Sequence, residues 1–200
     1  MPARAKRALK KKYFTVTAPE SLGGIELLPV MTVDASSLIR RTYECLLYDI
    51  TEDIQHQTVK LYLRIVRVDD EKALTIYGGH EYLREYLRSL IIRGTSCVEA
   101  ISDVETKDGV QYRVRVGVFT VRRINTSKQK AIRKIVTRFL EERLAEIDND
   151  TFVKNVLFGK LSSDLYLQAK KICPVRHVGI VKVKLLSDPV EVAAKVYGNK

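Results

Sequence analysis

The stretch Gln111–Arg138 reads QYRVRVGVFTVRRINTSKQKAIRKIVTR. Its first part alternates. Tyr112, Val114, Val116 and Val118 share one side and Arg113 and Arg115 the other, the two-residue period of a half-buried strand. Its last part changes to helix period, with Ile132, Ile135 and Val136 recurring three and four residues apart. A strand passing into an amphipathic helix predicts an α+β fold. The same stretch holds nine Lys or Arg residues and no Asp or Glu. A folded surface of that kind attracts a polyanion.

Working back from it, Lys107-Asp108-Gly109 carries Asp-Gly, the chain's strongest hairpin signal, and joins a strand at 98–106 to the one at 110–121. Before that pair, Gly94 closes a helix expected over 80–93, where Tyr82, Leu83, Tyr86, Leu87, Leu90 and Ile91 fall at helical spacing. Gly78-Gly79 is expected to end a short strand at 73–77. That strand pairs through an Asp69–Lys72 turn with an alternating strand at 59–65. Residues 41–50 are rich in strand formers, 17–37 read as an irregular connection, and 13–16 as a first strand. Residues 1–12 form a basic arm with Arg4, Lys6, Arg7, Lys10, Lys11 and Lys12 and no acid.

Working forward, Thr126 and Gln129 have the spacing of a capping box. The helix behind them is expected to reach about Ile147. Its first half exposes Lys130, Arg133, Lys134 and Arg138, its second half Glu141, Glu142 and Glu146. That order opposes the helix dipole, which favours acids at the start and bases at the end. Cations at an N-terminus with free amides suit phosphate. Two helices around Gly159 follow, then an alternating strand at 178–186 with Lys182 and Lys184 outward. Residues 13–189 are therefore read as one α+β domain with a mainly antiparallel, barrel-like core flanked by helices. Residues 190–200 are read as a C-terminal tail of uncertain type.

The 200 residues carry a formal charge of +11, and 46% are apolar. A chain of this size buries roughly 70% of its unfolded surface without help from disulfides or metals. No run approaches a membrane span, and no apolar segment follows the basic N-terminus, so neither a membrane nor a secreted protein is expected. Cys45, Cys97 and Cys173 are scattered and odd in number, which suits reduced thiols in the cytoplasm. Catalytic patterns fail one by one. His80-Glu81 lacks a second histidine at 84, no cysteine pair has metal spacing, and no nucleophile elbow or phosphate loop is present. Asp49, Glu52 and Asp53 are acidic enough for Mg²⁺ but read better as a solvated turn. No cofactor or metal is expected.

Three folded regions carry cations without neighbouring acids: Arg113 to Arg123, Lys128 to Arg138, and Lys170 to Lys184. With the arm, they make nucleic acid the expected partner. The candidate contacts are the six arm residues, Arg40, Arg41, Arg113, Arg115, Arg122, Arg123, Lys128, Lys130, Arg133, Lys134, Lys170, Lys171, Arg176, Lys182 and Lys184. Arginine suits bidentate phosphate contacts and stacking. No recognition pair of aromatics stands out, which favours shape and phosphate recognition of folded RNA.

The stretch Arg40-Arg41-Thr42-Tyr43-Glu44-Cys45-Leu46-Leu47-Tyr48-Asp49-Ile50 resembles a signature of the S-three-A-e (e-S-one) ribosomal proteins of archaea and eukaryotes, through Arg41, Glu44, Leu47 and Asp49. Arg40 stands where that family usually has Gly, and Leu46 where it has Ser. Thr17-Ala18-Pro19 with Gly23-Gly24-Ile25-Glu26, Phe119-Thr120-Val121-Arg122-Arg123, Phe158-Gly159-Lys160-Leu161 and Lys184-Leu185-Leu186-Ser187-Asp188-Pro189 extend the likeness, nearest to the compact archaeal form. The resemblance implies a β-barrel flanked by helices and a non-enzymatic constituent of the small subunit. It implies binding to small-subunit rRNA on the platform, near the mRNA exit and the 3′ end of that rRNA. Neighbouring platform proteins are then partners and mRNA near the exit a further candidate, in the cytoplasm and without homo-oligomers. The competing readings are a transiently bound assembly or translation factor and an RNA-processing enzyme.

Overall fold

The computed structural model describes residues 11–197. Arg4, Lys6, Arg7 and Lys10 of the expected arm lie outside the described residues. The strands are β1 (Lys12–Thr17), β2 (Val30–Thr32), β3 (Thr42–Leu46), β4 (Val59–Asp69), β5 (Lys72–Tyr82), β6 (Cys97–Glu105), β7 (Gln111–Thr120) and β8 (Val175–Leu185). The helices are α1 (Tyr48–Thr51), α2 (Arg84–Leu90), α3 (Thr126–Leu144), α4 (Asn149–Leu157), α5 (Lys160–Lys170) and α6 (Pro189–Tyr197). The strands form one sheet in the order β3-β4-β5-β8-β7-β6. β1 pairs with the start of β5, the one parallel pair among the described residues, and β2 lies outside it. The architecture is the expected α+β with a mainly antiparallel sheet. Among the described residues no pairing joins β6 to β3, so the sheet stays open and is barrel-like only loosely.

The alternation read in Gln111–Thr120 is what faces the core. Tyr112, Val114, Val116 and Val118 are fully buried and sit opposite Val104, Ser102, Ala100 and Val98 of β6. On the other side they meet Leu185, Val183, Ile180 and Val178 of β8. Ile132, Val136, Leu140 and Leu144 of α3 pack on β6, while α5 lies on β8. Full burial of one such aliphatic side chain stabilises by roughly 1.5–3 kcal/mol. The hairpin turn also anchors α4. Asp108 Oδ2 accepts from the Asn149 amide at 2.6 Å, and the Tyr112 hydroxyl donates to Asn149 Oδ1 at 2.6 Å.

Four local expectations differ. β5 does not end at Gly78-Gly79 but runs through it to Tyr82. Gly79 has φ 138°, and a Cβ there would stand 2.1 Å from the Val183 carbonyl oxygen. The glycine thus lets β8 approach, rather than stopping the strand. Consequently the helix expected over 80–93 shrinks to α2, none of whose residues is buried. His80 and Tyr82 belong to the sheet, paired with Leu61 and Val59. The strand expected at 41–50 ends at Leu46, where Asp49 Oδ2 accepts from the Leu46 amide at 2.8 Å and the chain turns into α1. The capping box at Thr126 is absent: Asn125 is the N-cap, and the Gln129 side chain donates to Ile124 O at 3.2 Å. After Asp188 the chain forms α6, whose Val192 and Ala193 join the core and whose Lys195 Nζ donates to Asp108 O and Gly109 O.

Candidate nucleic-acid interface

Three chain segments distant in sequence meet at one end of the sheet. The Thr120 amide donates to Ser96 O at 3.0 Å, and Ser96 Oγ accepts from the Ile124 amide at 3.1 Å. These bonds join the α2–β6 connection to the turn after β7. The Val121 amide donates to Pro174 O at 3.1 Å, which brings in the α5–β8 connection. Arg176 donates to Leu90 O and ties the start of β8 to the end of α2. Burial pushes the Cys173 thiol up, and the Lys128 ammonium beside it opposes that rise, so the first turn of α3 lies here too.

This end gathers Arg84, Arg88 and Arg93, then Arg122, Arg123 and Lys128, then Lys170, Lys171 and Arg176. All but the half-buried Arg176 are exposed. None of the nine makes an ion pair among the described residues. Lys130, Arg133 and Lys134 continue the positive surface along α3, with Arg133 Nε donating to Glu99 O at 3.0 Å. The first turn of α3 has no acid, and Asn125 supplies no side-chain cap. Orphan amides at that end therefore face a cationic surface, which is where an anion is stabilised. Arg84, Arg88 and Arg93 were not among the candidates. Their one signal is an arginine-rich stretch holding a single acid, Glu85, and only the fold brings it beside 122–128.

The other cation-rich region has a different character. Arg113, Arg115, Lys182 and Lys184 all project from the uncovered face of the sheet, but that face also holds acids. Arg113 donates through Nε and Nη2 to both carboxylate oxygens of Asp103, each at 2.7 Å. This bidentate contact holds the Asp103 carboxyl below its usual range. Arg115 meets Glu99 at 2.5 Å, and Lys182 meets Glu81 at 2.7 Å. Lys60 pairs with Glu44 and sits over the Tyr62 ring, 5.6 Å from its centre. The result is a ladder of mixed sign from β3 to β6, in which the neighbouring cations of β7 and β8 are flanked by acids on β6 and β5. Lys184 is exposed and outside any ion pair among the described residues. Arg40 pairs with Asp188 at 2.9 Å, whereas Arg41, Lys11 and Lys12 are exposed and away from the basic end.

Comparison with known proteins gives this architecture a lineage. Residues 4–189 match the Ribosomal S3Ae family. The chain belongs to that family. It is 46% identical over 181 residues to a small ribosomal subunit protein eS1 of Pyrobaculum arsenaticum, covering 90% of this chain and 82% of the relative. The eS1 protein of Sulfurisphaera tokodaii is 42% identical over 179 residues, covering 90% of this chain and 93% of its own. That of Staphylothermus marinus is 40% identical over 194 residues, covering 94% and 92%. The match takes in the basic end, the ladder and the core alike.

Two of the acidic residues singled out in this S3Ae chain, Asp49 and Asp53, have local partners. Asp49 accepts from the Leu46 amide, and Asp53 Oδ1 accepts from the Gln55 amide at 2.9 Å. Among the described residues no group of three or more His, Cys, Asp or Glu side chains is placed to hold a metal ion. His80 is buried, with Tyr77 Oη 2.6 Å from Nδ1 and Ile180 O 3.1 Å from Nε2. A carbonyl only accepts, so Nε2 carries the proton and Nδ1 accepts from the tyrosine. Burial lowers the His80 pKa to about 4 and keeps it neutral. No helix is long and apolar enough to cross a membrane among the described residues.

Proposed function

We propose that this chain is a structural, non-catalytic constituent of the small ribosomal subunit and that it binds the subunit's rRNA through the basic end. The observation carrying this reading is the convergence of nine cations without ion pairs from three separate segments. Ordinary solvated surfaces mix both signs, as the ladder does. The names of the relatives and the +11 charge point the same way. Arg122, Arg123, Lys128, Lys130, Arg133, Lys134, Lys170, Lys171 and Arg176 are the principal phosphate contacts, joined by Arg84, Arg88 and Arg93. Arg40, Arg113, Arg115 and Lys182 are partly neutralised by their carboxylates and contribute less. Residues 1–12 act as a second basic contact beside a single domain at 13–189.

The finer placement is the platform, near the mRNA exit and the 3′ end of the small-subunit rRNA, with platform proteins as neighbours. The protein works in the cytoplasm as one copy per subunit, without forming homo-oligomers. Sedimentation through a sucrose gradient tests this. The chain is expected in every small subunit at one copy, retained through a moderate-salt wash. Substoichiometric recovery would indicate a transient factor, and recovery only at the top of the gradient would sink the reading.

A further inference from the structure

A cavity of about 490 Å³ lies between α5 and the start of β8, beside the basic end. Its volume falls within the roughly 300–1,000 Å³ typical of ligand sites. Tyr82, Tyr166, Leu167 and Val178 give it an aromatic and apolar part, and Arg176, His177, Ser162 and Ser163 a polar one, with Gly159 at its edge. Two polar atoms of its lining residues lack partners. His177 Nε2 is shielded from solvent and makes no hydrogen bond, and the Tyr82 hydroxyl makes none either. Both converge over Gly179. A Cβ there would lie 2.5 Å from the Tyr82 hydroxyl and 3.0 Å from His177 Nε2, so glycine is what lets these two side chains pack against the strand. The rings are held in place: Tyr86 stands edge-on to Tyr82 at 5.3 Å and to His177 at 6.3 Å, and Phe119 lies 6.1 Å from His177.

The Tyr82 hydroxyl can donate and accept, and with no protein partner it offers a hydrogen bond to whatever enters the cavity. The missing occupant must be flat and apolar on its faces, hydrogen-bonding at its edge, and linked to an anion that Arg176 can meet. We propose that this cavity receives an unstacked nucleobase of the bound RNA. The base stacks within the Tyr82–Tyr166 walls and its edge meets the Tyr82 hydroxyl, while its phosphate lies toward Arg176 and the basic end. Burial pushes the Tyr82 phenol up to about 12 and lowers His177, with Arg176 adding to the latter. Both groups are thus neutral near pH 7 and suited to a neutral base. This extends the rRNA-binding reading and rests on it.

The test uses the full chain and a small-subunit rRNA transcript containing 4-thiouridine and 6-thioguanosine, irradiated after binding, with cross-linked peptides mapped by mass spectrometry. Cross-links on Tyr82, Tyr166 or Leu167 are expected. Loss of base stacking in Tyr166→Ala should weaken binding about tenfold. Tyr82→Phe keeps the ring, so it tests the edge contact even if the alanine variant misfolds, and a loss of about threefold to tenfold is expected. If the wild type binds the transcript, cross-links only from the basic end and tolerates Tyr82→Phe, the nucleobase proposal is overturned and the rRNA reading stands. Occupation of the cavity by a protein side chain in assembled subunits, seen by protein cross-linking, overturns it as well. Failure of the wild type to bind the transcript removes both.

Discussion

The basic end and the uncovered sheet face are both rich in cations, yet they are different surfaces. On the sheet, Arg113, Arg115 and Lys182 each meet a carboxylate on a neighbouring strand at 2.5–2.7 Å. At the basic end, Arg122, Arg123, Lys128, Lys170 and Lys171 make no ion pair among the described residues. The cause is geometric. Strands in register bring cross-strand partners within reach, so a cation-rich strand can be matched by an acid-rich one. Loops and helix ends that meet at a pole have no such register, and here every segment reaching the pole except α2 lacks acids. Charge density along the chain is therefore a poor guide to potential in space, because it says nothing of what the fold brings alongside.

The largest effect is expected from removing charge at the pole. Replacing Arg122, Arg123, Lys170 and Lys171 together with Ala should lower affinity for small-subunit rRNA on the order of a thousandfold near 0.1 M salt. The salt dependence should become shallower by about three to four units, following the counterion-release rule for duplex phosphates. Filter binding across a salt series measures both. An unchanged slope would mean that the pole does not touch phosphate.

The second effect separates the inner face of the sheet from both charged surfaces. His80 is neutral when folded, with its pKa lowered from about 6.5 to about 4. A lowered histidine pKa means that the unfolded chain takes up the proton first. Stability is therefore full above about pH 6.5, falls as the pH drops, and levels off below about pH 4. The total is roughly 3 kcal/mol. Urea midpoints from pH 7.5 to 3.5 should show this fall in the wild type relative to His80→Phe, which is less stable throughout but lacks this titration. Parallel curves for the two proteins would show that His80 does not titrate in this way. The Asp103 carboxyl titrates below the usual carboxylate range, so acid weakens the fold before it releases Arg113.

The features legible in the sequence were those determined locally. Asp108-Gly109 needs only its own backbone to make the hairpin, and the apolar stripe of α3 needs only its own period. Gly78-Gly79 misled because the function of Gly79 is set by the Val183 carbonyl, a hundred residues later. The same distance hid the Lys182–Glu81 pair. The β6–β7 anions were a different case. A tight turn at Asp108-Gly109 already dictates that Asp103 faces Arg113, and the alternation places Glu99 on the same side. That pairing was written in the sequence. It is found by carrying the hairpin register outward from the turn, and a tally of charges along one strand does not show it.

The smallest effect is the most direct test of why the two surfaces differ. Glu99→Gln with Asp103→Asn leaves Arg113 and Arg115 in place and removes their counter-charges. If the carboxylates are what keep this face from behaving like the pole, the variant should bind rRNA a fewfold more tightly, with a salt dependence steeper by about one unit. The pairs are exposed to solvent, Arg113 and Asp103 at 53% each, so their loss should cost less than about 1 kcal/mol of stability. A gain in affinity would show that the ladder restrains a surface already within reach of the RNA. No gain, with the fold intact, would place that face away from the RNA altogether. The paired charges would then serve a neighbouring protein, or the solubility of an open sheet with exposed edges.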